Sequence, residues 1–329
     1  MIRIYIPTII AYCGGTVALA CLCQTLRSMG YEARLLLVPY FPCKKVNRNK
    51  YLCDYFKNIV NFFSKRFIKK LLSYIFPNAS FTKHYQSKGS ILSMEGIKIQ
   101  WNPFFSKDSI VIYSEDIYGN PLGCKHVVRW LLYYYDYINT KGAHSENDLF
   151  IAYREVFNNQ ILNPEKHIVT VTYFNNKLYR QYNFDERKGI CYIIHKGKDR
   201  NDLPLKFDGP VFNSNMSQED LVDMLNSHKY CYCYDPQTFY MKIAAVCGCI
   251  PVLVMEPNKT EADYLSSSES HYGIAYGDTQ EQIEYAINTR EQCLRSLDFT
   301  QQNKLNVTRL VKILESRFGQ IERINKYDK

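Results

Sequence analysis

The stretch YCYCYDPQTFYMKIAAVCGCIPVLVMEP, residues 230 to 257, constrains the fold more than any other part of the chain. Two short apolar runs flank a segment of helical spacing, which is the pattern of strand, helix, strand. Pro236 suits a first helical position, where no N–H is required, and Asp235 just before it is placed to cap the free donors. The spacing therefore predicts a helix opening at Asp235-Pro236. Met241, Ala244, Ala245 and Cys247 form its apolar stripe, and Gly248 supplies the stop before CIPVLVM, a buried strand. In an open parallel sheet, ligands lie beyond the carboxyl ends of the strands, where helix N-termini present unpaired N–H groups. A phosphate suits such a place.

The same grammar opens the chain. MIRIYIPTIIAYCGGTVALACLCQTLRSMGYEARLLLV reads as a strand, a Gly14-Gly15 turn, a helix with Leu19, Leu22 and Leu26 on one face, a stop at Gly30, and a strand from Ala33 to Val38. No third glycine completes a dinucleotide fingerprint, so the turn argues for close backbone approach of a ligand and not for NAD. DSIVIYSEDIYGNPLGCKHVVRWLLYYYDY predicts a strand ending near Tyr113, a loop from Ser114 to Gly119, and a helix opened by Asn120-Pro121. Glu115 and Asp116 then fall where that strand's carboxyl end opens, the position for acid or base chemistry.

After Pro164 a second series follows. HIVTVTYF, GICYIIHKG, YCYCY and PVLVM read as strands, and MSQEDLVDMLNSHK as a helix capped by Ser217. The polar, Pro-containing NNQILNPEKH is the best boundary, which predicts domains over 1–160 and 161–329. LNVTRLVKILESRFGQIERI is an amphipathic helix with a face to pack across both halves. A chain of 329 residues supports two such cores.

Twelve cysteines in a chain without a recognisable secretion leader read as reduced thiols. The C-x-C pairs Cys231/Cys233 and Cys247/Cys249 have poor zinc spacing, so no metal is expected. No apolar run approaches a membrane span, and the N-terminal run ends in a glycine turn with no cleavage site. A cytoplasmic protein is expected, peripheral at the inner face of the membrane. Net charge is +9, yet residues 44 to 88 hold 11 Lys and Arg against Asp54 alone, a local +10 that leaves −1 elsewhere. That distribution points to one patch facing an anionic surface, and away from nucleic acid. Within it, residues 51 to 76 show Leu52, Tyr55 or Phe56, Ile59, Phe63, Phe67, Leu71 and Ile75 at helical spacing. Lys57, Lys65, Arg66, Lys69 and Lys70 surround the stripe. Either the helix lies on an anionic membrane or it packs on the first domain with a solvated basic face.

The segments GGTVALACLCQTLRSMGYEARLLL, IVIYSEDIYGNPLGCKHVVRWLL and YDPQTFYMKIAAVCGCIPVLV, taken in that order, resemble GT-B type glycosyltransferases of bacterial polysaccharide and glycolipid synthesis. The resemblance implies an α/β fold of two facing Rossmann-like domains with a cleft between them. It implies transfer of a sugar from a nucleotide-sugar donor to a glycan or lipid-linked glycan acceptor, with no cofactor beyond that co-substrate. By the resemblance, Ala244 to Val254 lie under the donor's diphosphate and ribose. Arg187 and Lys196 neutralise the diphosphate, with Lys198 and Arg200 as alternates. Gly14, Gly15, Tyr234, Asp235 and Thr238 complete the donor-binding set. Glu115 or Asp116 is the catalytic carboxylate. Two glutamates seven residues apart, common in retaining members, have no counterpart here, because Ile243 holds the partner position. The absence of a D-x-D motif implies a metal-independent reaction. Rival assignments are a nucleotide-sugar epimerase and a non-catalytic module binding carbohydrate or membrane.

Overall fold

The computed structural model describes residues 2–9, 13–38, 40–75, 94–135, 143–194, 197–212, 216–235, 238–264 and 271–324, without the side chains of 62, 63 and 65–75. The chain forms two units, one of Met1–Tyr173 with Phe299–Lys329 and one of Phe174–Asp298. This differs from the expected 1–160 and 161–329. The break falls later, and the C-terminal helix (Thr300–Phe318) belongs to the first unit, because Val307, Leu310, Val311 and Leu314 bury into the core there.

The first unit is a sheet of β1 (Ile4–Thr8), β2 (Ala33–Leu37), β3 (Ile99–Gln100), β4 (Ile110–Ser114), β5 (His126–Leu131) and β6 (Leu149–Ala152). The order is β3-β2-β1-β4-β5-β6, every pair parallel, with Ile4 in register with both Ala33 and Ile110. That is the doubly wound Rossmann order. Strand side chains alternate between faces, so Ile4, Ile6, Ile110, Ile112, Val128 and Trp130 pack under α1 (Gly14–Ser28) and the C-terminal helix. Leu36, Val111, Tyr113 and Val127 face the other way, onto Tyr51 and Tyr55 of α2 (Arg48–Ile75), with Ile59 partly buried beside them. The first half of the basic helix is therefore scaffold. Its Phe56 and Val60 stay exposed.

The second unit contains β7 (Ile190–Ile193), β8 (Val211–Phe212), α3 (Gln218–Ser227), β9 (Tyr230–Cys233), α4 (Tyr240–Val246), β10 (Ile250–Leu253), β11 (Ala275–Tyr276), α5 (Gln280–Asn288) and α6 (Arg290–Ser296). Its strands are again all parallel, ordered β11-β10-β9-β7-β8. Ser217 caps α3 as expected, its hydroxyl accepting from Asp220 N at 3.0 Å. Cys231, Cys233, Cys247 and Cys249 are buried in this core with Ile193, Ile243 and Leu253. Among the described residues no group of three or more His, Cys, Asp or Glu is arranged to hold a metal ion. No helix among them is long and apolar enough to cross a membrane.

Three sequence expectations change. The helix predicted from Asn120-Pro121 is a turn followed by β5. The Asn120 carboxamide accepts from Gly123 N at 3.0 Å and Cys124 N at 3.2 Å and donates to Cys124 O at 2.7 Å, closing the turn on itself. HVVRWL is then a strand buried from Val127 onward on both faces, so its residues carry no alternation to tell it from a helix. HIVTVTYF is an extended edge with one bridge, Ala152 to Ile168. Its polar groups bond to the C-terminal helix instead: Thr172 N donates to Asn303 Oδ1, and Asn306 Nδ2 to Thr170 O. The helix expected at Asp235-Pro236 begins at Tyr240 behind Phe239, with no side-chain cap.

Candidate functional site

Where the order of a parallel sheet reverses, two neighbouring strands lead to helices on opposite faces, and a crevice opens at their carboxyl ends. In the first unit the reversal lies between β1 and β4, and in the second between β7 and β9.

In the first unit β1 leads through Cys13 into α1. Cys13 N donates to the Thr16 hydroxyl at 3.1 Å, closing the first turn, which carries no acid to offset the positive end of the macrodipole. Gly14 has open space where a side chain would stand, and a Cβ on Gly15 would lie 3.6 Å from Leu132 Cδ1. Glu115, directly after β4, accepts the Leu132 N–H at 2.9 Å through Oε2. The expected pair Gly14-Gly15 and the expected carboxylate are thus brought to one place by Leu132. Burial lifts the Glu115 carboxyl to about 7, against the Leu132 N–H, which favours the anion; the Asp116 charge adds to the rise. Asp116 is exposed, and partial desolvation raises its carboxyl as well. The Ser114 hydroxyl, 1% exposed, meets no partner among the described residues.

What aims this loop is a residue that sequence reasoning passed over. Arg129 of β5 is buried, pairs with buried Asp148 at 2.9 Å, and donates to the carbonyls of Ile117 and Gly119. It ties down the segment that carries Glu115 and Asp116. Its signal in the sequence is the one charge inside HVVRWLL.

In the second unit Asp235 follows β9 and is 1% exposed. Its Oδ1 accepts the Gly197 N–H at 2.8 Å, so it joins the loops leaving β7 and β9 and does not cap the helix. Gly197 admits no side chain, because a Cβ there would lie 2.2 Å from Tyr234 O. Tyr234 is buried under the Arg200 guanidinium, 5.1 Å above the ring. Arg200 has all five N–H donors engaged: on Asp202 at 2.8 and 2.6 Å, Tyr234 O at 3.2 Å, Val254 O at 2.7 Å and Met255 O at 3.2 Å. It clamps the carboxyl ends of β9 and β10 and has nothing left for a phosphate. Thr238 sits in the turn before α4, its hydroxyl accepting from Tyr240 N at 3.4 Å. Lys198 is exposed on the same loop as Gly197. Lys196 and Pro236 lie outside the described residues.

Arg187 is placed elsewhere. It precedes β7 and so stands at the amino edge of the sheet, donating to the carbonyls of Cys247 and Gly248. With Arg290, which donates to Ala245 O at 2.6 Å and Val246 O at 3.1 Å, it satisfies the carbonyl end of α4. Cations suit that end of a helix, and the diphosphate role inferred for Arg187 gives way to this one. Of Lys65, Arg66, Lys69 and Lys70, the structure describes only the backbone of α2.

No protein-family model and no curated protein matches the chain. Among solved structures it is similar to the glycotransferase of kitacinnamycin, at 8% identity over 96% of this chain and 98% of that one, with a TM-score of 0.38. An alpha-glucosyltransferase in complex with UDP aligns at 11% identity over 96% of each chain, with a TM-score of 0.34. MurG of Acinetobacter baumannii aligns at 12% identity over 93% of this chain and 94% of that one, with a TM-score of 0.28. Likenesses this distant carry no argument about chemistry, which rests on the strand order and side chains above.

Proposed function

We propose that the protein is a glycosyltransferase that moves a sugar from a nucleoside-diphosphate donor, held by the second unit, to a glycan or lipid-linked acceptor, deprotonated by Glu115 of the first. The observation that supports this best is the place of the chemistry. Two parallel sheets each gather their unusual residues at the reversal of strand order, where α/β proteins bind nucleotides and substrates. In the first unit that residue is a carboxyl shifted to about 7, suited to take a proton from a hydroxyl near neutral pH. In the second it is a glycine-bearing loop held by Asp235 and flanked by lysines. As a nucleoside diphosphate leaves, its growing charge calls for cations, and Lys196 and Lys198 are assigned that work in place of a metal.

The test is titration calorimetry with UDP, GDP, CDP and ADP. The best of them is expected to bind the intact protein and to lose about 10- to 150-fold in affinity on Lys196→Ala or Lys198→Ala, the value of one charge-assisted contact. Full affinity in both variants would move the diphosphate elsewhere.

For the acceptor to be lipid-linked, the enzyme should meet a membrane, and α2 is assigned to that contact. Phe56, Val60 and Phe104 are exposed, and the Phe56 and Phe104 rings lie 5.7 Å apart, beside a helix rich in lysine. Basic side chains near an anionic surface contribute about 1 kcal/mol each. The protein is expected to sediment with phosphatidylglycerol vesicles and not with phosphatidylcholine vesicles. High salt, or glutamine at Lys65, Arg66, Lys69 and Lys70, should abolish this. Equal sedimentation with both kinds of vesicle would remove the membrane from the proposal.

A further inference from the structure

Beside the Glu115 loop the first unit exposes two aromatic rings, packed on a third that is half-buried. Tyr133 and Tyr134 follow β5 and are 63% and 60% exposed. Phe157 follows β6 in a short 3-10 turn, Glu155–Phe157. Tyr133 and Tyr134 are 5.0 Å apart, and Phe157 is 5.4 Å from the first and 5.1 Å from the second. Tyr134 meets both neighbours edge to face and Tyr133 is tilted on Phe157, an arrangement that holds the rings in place while leaving apolar surface of the two tyrosines open to solvent. Leu132 precedes Tyr133 and is the residue whose N–H Glu115 accepts, so the cluster and the carboxylate are joined by two residues of backbone. Because β4, β5 and β6 are parallel neighbours, all these groups stand on one edge of the sheet.

We infer that the exposed faces of Tyr133 and Tyr134, braced by Phe157, form a platform on which one pyranose ring of a glycan acceptor stacks on a tyrosine face, presenting a hydroxyl toward Glu115. A pyranose has an apolar C–H face and a rim of hydroxyls, and it needs a flat apolar support with acceptors at its border. Beside the platform Glu115, held on Leu132 N, is an acceptor for a sugar hydroxyl, whereas Glu155 is paired with Lys166 at 3.4 Å. A docked protein would need far more area, about 800 Å² on each partner. The acceptor role rests on the glycosyltransferase assignment above, whereas sugar stacking rests on the rings alone.

The experiment is saturation-transfer NMR on the full chain. The probes are methyl glycosides and disaccharides of glucose, galactose, mannose and N-acetylglucosamine, with titration of the best of them. Saturation is expected on ring C–H protons, with affinity falling at least tenfold in Tyr133→Ala/Tyr134→Ala and surviving in Tyr133→Phe/Tyr134→Phe, which keeps the rings. Phe184→Ala, an exposed aromatic of the second unit, should leave sugar binding as it is. No saturation from any probe, or equal affinity in the double alanine variant, would overturn the platform. So would loss of phosphatidylglycerol vesicle binding in that variant with sugar binding intact. Sugar binding without any nucleoside-diphosphate binding would defeat the glycosyltransferase assignment and leave the platform standing; the reverse result would do the opposite.

Discussion

Replacing Glu115 by Gln is expected to lower turnover by about 10²–10⁴-fold while nucleoside-diphosphate affinity is unchanged, because the amide keeps the hydrogen bond from Leu132 and loses the base. The pH dependence should carry the same signature. A base works as the carboxylate, so the rate should rise with pH through about 7 and level above it. A falling limb at that pH would make Glu115 an acid instead. Stability moves the other way. The folded protein holds this proton up to about 7, while the unfolded chain releases it near the ordinary 4.5, so between those values the folded state binds more protons. Its stability falls as pH rises through the window, and Glu115→Gln should remove that fall. Initial rates across pH, beside thermal scans of both proteins, check all of this. A variant with near-normal turnover would end the assignment of Glu115.

The largest structural effect is expected from Asp148→Ala. Arg129 and Asp148 are both buried, and removing the acid leaves the guanidinium charge without its partner in the interior. Breaking one side of such a pair typically costs about 3–5 kcal/mol. Both tryptophans, Trp101 and Trp130, lie in the first unit, so their fluorescence during urea unfolding follows that unit alone. The midpoint should drop sharply for Asp148→Ala. Arg129→Met leaves the Asp148 carboxylate without its partner and also cuts the ties to Ile117 and Gly119, so it should cost comparable stability and, by loosening the loop that carries Glu115, turnover as well. A fluorescence midpoint unmoved by Asp148→Ala would show that the pair holds nothing together.

The sequence carried the architecture further than the chemistry. Alternating runs, the Gly30 and Gly248 stops and the Ser217 cap are local signals, and local signals set strands and helix ends. The position of Glu115 was legible for the same reason, since the loop after a parallel strand can open only at one edge. Asn120-Pro121 and Asp235-Pro236 misled because a capping residue before proline suits a turn as well as a helix. At Asn120 the carboxamide is spent within its own turn, and at Asp235 the carboxylate is taken by Gly197, 38 positions earlier in the chain. Arg187 misled because its partners, the carbonyls of Cys247 and Gly248, are chosen by tertiary packing. The aromatic triangle was hidden among 28 tyrosines and 18 phenylalanines, and nothing local marks Tyr133 and Tyr134 as exposed.

The first unit is built from the segments that flank the second unit on either side. Ile2 bridges Ile321, Arg3 pairs with Glu322 at 2.9 Å, and the C-terminal helix fills the core under β1 and β4. On the ribosome this inverts the usual order in which domains mature. When Asp298 has been added, the second unit has all its residues, whereas the first still lacks Val307, Leu310, Val311 and Leu314. The half made first must wait, the part of its apolar sheet face that α1 leaves open still uncovered, until residues 307 to 314 have been made. A stop between Asp298 and Val307 would release a finished second unit joined to a first unit without the residues that complete its core.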